Sequence, residues 1–427
     1  MIKIMKMSEV PAAEIFARST AARDVSGIVR DIIKDVRERG DEALMEYTKK
    51  FDGAELESLQ VKPEEFEEAE RMLREAGSRL PEILAAAADN IRSFHSMQRR
   101  DGFRIVNAQG AVVGQRIVPV AKAGLYVPGG TAAYPSTVLM DSIPAKIAGC
   151  EEVVIVTPPG RDGKINPAIL MAAKTAGVDR IFKVGGAQAI AALAYGTQTI
   201  PKVDKIVGPG NAFVAEAKKQ VFGQVSIDMI AGPSEILIVA DGKSRADWVA
   251  ADMLSQAEHD KMASAVLVTD SEKLAYEVSA ELEKQIPELL RKDIARSSVD
   301  ENGKIIIAGD IAEAIDVANE IAPEHIELCV DDPFACLEKI RCAGSVFLGR
   351  YCPEALGDYY AGPNHTLPTG GTARFCGALS VDDFVKKIQY IYYDEASMLR
   401  CASDVDYFAK AEGLTGHGRS VTIRSER

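Results

Sequence analysis

The chain has 427 residues, more than one typical hydrophobic core holds, so its length points to two or more domains. Apolar residues make up 47% and charged residues 26%, a globular composition with apolar material for more than one core. A formal net charge of -13 argues against a nucleic-acid surface, because phosphate binding needs clustered Lys and Arg. The first dozen residues lack a signal-peptide run and an A-x-A site, and no stretch of about 18 apolar residues occurs, so a cytoplasmic protein without a membrane span is expected. The cysteines number seven and form no C-x-x-C pair, which reads as reduced, mostly buried thiols rather than a disulfide framework.

In chain order, residues 1–110 read as a helical N-terminal region without strands, an arm or a packing layer. Val25, Ile28, Val29, Ile32, Ile33 and Val36 fall at helical spacing, and Gly40 ends that run. Pro63 opens an acidic helix, and Leu80, Ile83, Leu84, Ala87, Ile91 and Phe94 line another. From about Ala111 short β runs alternate with helices. Strands are predicted over 152–157, 179–184 and 203–207, with helices over 166–176, 187–195 and 211–222. A second series begins near Glu235, with strands over 236–240, 265–269, 304–308, 326–330 and 344–348 and helices between them. The alternation implies two doubly wound, incomplete Rossmann-like parallel-sheet domains, over 111–234 and 235–371. Ligands are then expected beyond the carboxyl ends of the strands. Residues 372–427, with a helix predicted over 381–393, are too few for a core and must pack on something else.

The chemistry-bearing residues are concentrated. Of five histidines, His95 follows an apolar helix face and reads as packed or surface, while His259, His325, His365 and His417 stand in compact polar segments of the second half. Gln256 and His259 are three residues apart at a helix end and share a face; the spacing fits metal ligation and equally a solvated helix end. Glu324-His325 sits before a strand, where an entry turn aims both side chains at one cleft; an imidazole near its ordinary pKa accepts protons at neutral pH, and a carboxylate beside it can orient or deprotonate water. Asp358, in a glycine-rich segment, is a hard ligand, and His417 is flanked by glycine. Gln256, His259, Asp358 and His417 make a mixed N/O set without thiolate, suited to zinc or manganese with exchangeable positions. Tyr126-Val-Pro-Gly-Gly130, Val184-Gly-Gly-Ala-Gln188 and Gly208-Pro-Gly-Asn211 each join a strand to a helix, where free N–H groups can meet a phosphate, although none completes G-x-G-x-x-G.

Taken together, Tyr126-Val-Pro-Gly-Gly, Gly185-Gly-Ala-Gln-Ala-Ile, Val207-Gly-Pro-Gly-Asn-Ala-Phe-Val, Ala231-Gly-Pro-Ser-Glu, Leu254-Ser-Gln-Ala-Glu-His, Ala322-Pro-Glu-His, Gly357-Asp-Tyr, Asn364-His-Thr-Leu-Pro-Thr and Glu412-Gly-Leu-Thr-Gly-His resemble, in order, the histidinol dehydrogenase family. The resemblance implies zinc on Gln256, His259, Asp358 and His417. It implies substrate contacts from Ser234, His325, Glu412 and the zinc ligands, and NAD contacts from Tyr126, Gln188 and Asn211. His325 would accept the alcohol proton as hydride leaves for NAD, giving histidinal. Glu324 would activate water for the second oxidation, to histidine. The family resemblance further implies a homodimer whose tail, carrying His417, crosses to the partner, with L-histidinol and NAD as ligands and neither nucleic acid nor membrane. Three rival readings are a same-family dehydrogenase of another amino or hydroxy alcohol, a metallohydrolase with Glu324 as base, and a binding protein that keeps the fold.

Overall fold

The computed structural model describes residues 1–17, 24–129 and 133–426; Gly130, the last residue of the Tyr126 turn, lies outside them. In chain order the strands are β1 (Lys3–Lys6), β2 (Phe103–Val106), β3 (Val112–Pro119), β4 (Lys122–Tyr126), β5 (Glu152–Thr157), β6 (Arg180–Lys183), β7 (Lys205–Val207), β8 (Ser226–Ile227), β9 (Glu235–Ala240), β10 (Ser264–Thr269), β11 (Lys304–Ile307), β12 (His325–Cys329), β13 (Ser345–Leu348) and β14 (Val385–Tyr392). They form a parallel sheet ordered β6-β5-β4-β7-β8, a parallel sheet ordered β1-β11-β10-β9-β12-β13, and an antiparallel trio β14-β3-β2. Both parallel sheets follow one plan. The chain steps outward through three strands, then returns to the far side of the first, so a topological switch point falls between β4 and β7 and between β9 and β12. This is the α/β architecture expected from the alternating pattern.

Each element has a local cause. Helix Pro167–Ala176 starts with Asn166 accepting from the Ala168 N–H and Pro167 in the first turn, and it stops at Gly177, whose φ of 76° is left-handed. In β9, Ile236, Ile238 and Ala240 join a core with helices Ala246–Ala257 and Glu272–Gln285 on one side. Leu237 and Val239 join another core with helix Ile311–Ile321 on the other. A strand buried on both faces has to be an unbroken apolar run, which is what was legible.

The N-terminal helices form a packing layer: Val29, Ile32, Ile33 and Val36 share a core with Ile190 and Leu193 of helix Gly186–Tyr195. Two expectations need correction. The first 110 residues do contain strands, because β1 pairs in parallel with β11, Lys3 against Lys304, and β2 pairs with β3. The helix predicted over 381–393 is a 3-10 turn, Val381–Phe384, followed by β14, which pairs antiparallel with β3 from Val385↔Pro119 to Tyr392↔Val112.

The chain divides into two compact units. One comprises Met1–Gln98 and Ala121–Phe384 and holds both parallel sheets. The other comprises Arg99–Val120 and Val385–Arg427 and holds the antiparallel trio and helices Glu395–Ala411 and Thr415–Thr422. Among the described residues no helix is long and apolar enough to cross a membrane.

Candidate active site

The six-stranded sheet carries its polar cluster at the amino ends of its strands. Ser234 precedes β9, Glu324 and His325 open β12, and His259 follows helix Ala246–Ala257 on the way into β10. The expectation of a site beyond the carboxyl ends is therefore corrected for this sheet. Its carboxyl-end switch point is filled by ion pairs: Arg350 Nη2 donates to both oxygens of Asp241, at 2.6 and 2.7 Å, and reaches Asp331 at 3.0 Å. Guanidinium and carboxylates satisfy one another there.

At the amino ends, one backbone residue orients two side chains. The Glu235 N–H donates to Glu324 Oε2 at 2.9 Å, and the Glu235 carbonyl lies 3.0 Å from His325 Nδ1. A carbonyl only accepts, so Nδ1 carries the proton and Nε2 keeps its lone pair. Nε2 is buried and has no hydrogen-bond partner among the described residues. Burial also lowers the His325 pKa, which keeps the ring neutral at pH 7. Burial drives the neighbouring Glu324 carboxyl well above its ordinary range, helped by the charges of Glu235, Asp358 and Glu354.

Glu354 and Asp358 stand one turn apart on helix Glu354–Tyr359 and face the imidazole. His325 Nε2 lies 3.8 Å from Glu354 Oε1 and 3.9 Å from Asp358 Oδ1. These three residues offer donor atoms within 4.8 Å of one another. Burial, then the nearby Glu354 charge, pushes the Asp358 carboxyl up to about 8. The remaining Glu354 oxygen accepts from the Ser255 hydroxyl at 2.9 Å, and its backbone N–H donates to Glu327 at 2.8 Å. Burial lifts the Glu327 carboxyl well above the carboxylate range, and it hydrogen-bonds Asp252.

Gln256 is buried with its Oε1 unpartnered among the described residues. An orphaned amide oxygen, a histidine one turn on and a crowd of buried acids fit a divalent cation, whose charge would offset the repulsion among the carboxylates. Of the ligands expected from the sequence, Asp358 lies in the close group of donors with His325 and Glu354. Glu412, which caps helix Glu395–Ala411, and His417, on helix Thr415–Thr422, are exposed residues of the other unit.

Two further groups, Glu354 and Glu327, escaped the sequence reading, and His365 was singled out there without a role. Glu354 had a usable signal, since its i,i+4 spacing from Asp358 puts both on one helix face. Glu327 is a lone charge inside the apolar run Ile326–Cys329. His365 had no local signal for its place: its Nδ1 lies 3.1 Å from the Asp358 carbonyl and its Nε2 3.2 Å from the Thr137 hydroxyl. Burial lowers its pKa to about 4.

The five-stranded sheet does keep its glycine-rich turns at the carboxyl ends. The hydroxyl of Tyr126, the last residue of β4, accepts from the Gly186 N–H at 3.1 Å. Gly186 opens the helix that buries Gln188. Asn211 caps helix Ala212–Val221, its Oδ1 accepting from the Phe213 and Val214 N–H groups at 3.0 and 3.2 Å.

Paired parallel sheets, a cluster of buried acids around a neutral histidine, and glycine turns at a switch point fit an α/β oxidoreductase, the class to which the family match assigns the chain. The histidinol dehydrogenase family model matches residues 17–425, and the chain belongs to that family of NAD-dependent dehydrogenases. A histidinol dehydrogenase of Geobacter metallireducens is 52% identical over 419 residues, spanning 96% of this chain and 94% of its own. One of Streptococcus mutans is 51% identical over 426 residues, spanning 99% and 98%. The crystal structure of histidinol dehydrogenase from Elizabethkingia anophelis superposes with a TM-score of 0.93 at 38% identity, covering 99% of this chain and 98% of that one.

Proposed function

We propose that the chain oxidises L-histidinol through L-histidinal to L-histidine in the cytoplasm, reducing two NAD and completing histidine synthesis. The observation that carries the reading is the His325 tautomer: a neutral, buried imidazole whose proton is tied to the Glu235 carbonyl and whose free nitrogen faces the acid cluster. Alcohol oxidation needs such an acceptor within reach of the hydroxyl.

His325 Nε2 takes the alcohol proton while the carbinol carbon gives hydride to the nicotinamide, which leaves the aldehyde. Glu324 then takes a proton from water as the water oxygen adds to the aldehyde, protonated His325 gives its proton to the former carbonyl oxygen to complete the hydrated aldehyde, and the neutral His325 so restored repeats its role in the second hydride transfer. Burial excludes solvent from the aldehyde between steps. Gln256, His259 and Asp358, with His417 from a second copy of the chain, would hold zinc. Bound there, zinc would supply Lewis-acid attraction for nitrogen donors of the substrate, away from the carbon that His325 serves. Ser234 and Glu412 contact substrate. Tyr126, Gln188 and Asn211 contact NAD, the last through the amide NH2 its capping bonds leave over. In this reading residues 111–234 are the NAD side, 235–371 the zinc and catalytic side, and the tail from 372 serves the neighbouring subunit.

A second reading has its own observation. His325, Glu354 and Asp358 offer donors close enough to chelate one ion, which would make His325 a ligand rather than a base. NADH formation with L-histidinol, compared with simpler amino and hydroxy alcohols, tests the substrate. The proposal expects kcat/KM at least about a hundredfold higher for L-histidinol, and equal values would refute it.

A further inference from the structure

Two charged side chains that the reaction does not use lie buried behind the first glycine of the Gly208–Asn211 turn. Lys218, on helix Ala212–Val221, and Asp228, just past β8, form an ion pair whose side chains are 2% and 1% exposed. Lys218 Nζ also donates to the Gly208 carbonyl at 2.9 Å. Asp228 Oδ2 accepts from the Gly208 N–H at 2.8 Å, and its Oδ1 accepts from the Met229 N–H at 2.6 Å. The pair therefore grips both polar groups of one residue, the acid from the end of one sheet strand and the lysine from the helix that the turn begins.

What is gripped sits tightly. Gly208 has φ 113°, and a Cβ there would stand 2.2 Å from the Tyr126 carbonyl oxygen. A buried ion pair adds little stability over apolar residues of like volume, because desolvation offsets the attraction. An apolar pair would fill the same space, but it would leave the Gly208 N–H and C=O unheld and the turn free to shift.

We propose that Lys218 and Asp228 are positioning residues for the dinucleotide: they fix Gly208 against the Tyr126 backbone and so the turn that carries Asn211. This rests on the reading of that turn as an NAD contact. The pair acts only through backbone, so it governs cofactor affinity and leaves the alcohol site alone.

The test is the double variant Lys218→Met/Asp228→Leu, which removes both charges and so avoids stranding one. NAD affinity is measured by titration calorimetry, together with KM for NAD, KM for L-histidinol, kcat and the melting temperature. The expected result is NAD Kd and KM raised about tenfold, with kcat and the L-histidinol KM within about threefold, the pattern of lost cofactor binding. If the double variant does not fold, Asp228→Asn, which keeps an acceptor for Gly208, replaces it and should show the same split in smaller size. Unchanged NAD affinity in a folded variant overturns the inference, as does a parallel change in all constants. Asn211→Ala separates the two levels. If it weakens NAD while the pair variant does not, the positioning role alone fails. If it too leaves NAD affinity unchanged, the turn is no cofactor contact and both fall.

Discussion

Replacing His325 by Asn isolates its proposed work as a base. Asn keeps a side-chain N–H for the Glu235 carbonyl, which now lies 3.0 Å from Nδ1, but has no basic nitrogen. Nε2 bonds to nothing among the described residues, so losing it removes no hydrogen bond. The variant should therefore fold with nearly unchanged stability, whereas His325→Ala removes the Nδ1–H bond to that carbonyl and loses about 1 kcal/mol. Loss of a general base lowers kcat by roughly two to four orders of magnitude, a barrier increase of about 3–5 kcal/mol. The assay is NADH production under saturating NAD and L-histidinol, with bound zinc counted on the same sample. The reasoning requires zinc to stay while turnover falls. Full turnover would show that another group takes the proton, and zinc lost in step with turnover would show that His325 is a ligand.

Asp141→Asn tests a buried acid outside the cleft: burial pushes this carboxyl from 3.8 up to about 8, and it accepts from the Thr366 hydroxyl at 2.7 Å. A raised carboxyl pKa means the folded chain holds a proton that the unfolded chain releases. Its contribution is complete below about pH 4 and is lost as pH climbs through about 8, with a slope of up to about 1.4 kcal/mol per pH unit in between. Urea unfolding from pH 5 to 8 should show that slope in the wild type and not in the Asn variant; parallel curves would refute it. Gly208→Ala puts a methyl against the Tyr126 carbonyl at a left-handed φ and should cost on the order of 3 kcal/mol in denaturant titration; a neutral effect would contradict the tight turn. His259→Asn should lose zinc and L-histidinol binding together while leaving NAD affinity intact, and retention of stoichiometric zinc would remove His259 from the ligand set.

The fold was legible where burial writes a pattern. Val29, Ile32, Ile33 and Val36 repeat at helical spacing because one face meets helices Gly186–Tyr195 and Ala212–Val221, and β9, β10 and β12 are apolar runs because both faces are covered. The misreading at β14 has the same root. Val381, Phe384, Val385, Ile388, Ile391 and Tyr392 happen to fall at helical spacing, and most of this strand is exposed within its unit, so no alternation marked it. β2, exposed along its whole length, left no trace for the same reason. In the cleft, Glu324, His325 and Asp358 were named from the chain, but which end of the sheet they occupy was not. Local sequence says where a strand starts, not that the Arg350–Asp241–Asp331 cluster closes the opposite end. Glu354 and Glu327 were passed over because an isolated acid reads as solvated until packing shows it buried. Nor does spacing reveal that the backbone of a single residue, Glu235, steers both Glu324 and His325.

The central claim is a four-electron oxidation in one cleft. Purified protein with limiting L-histidinol and excess NAD, followed to completion with products separated chromatographically, measures it directly. The account predicts two NADH for every histidinol consumed, histidine as the product, and abolition of both by prior chelation. One NADH per histidinol with the aldehyde accumulating, or turnover undiminished after zinc is removed, would contradict it.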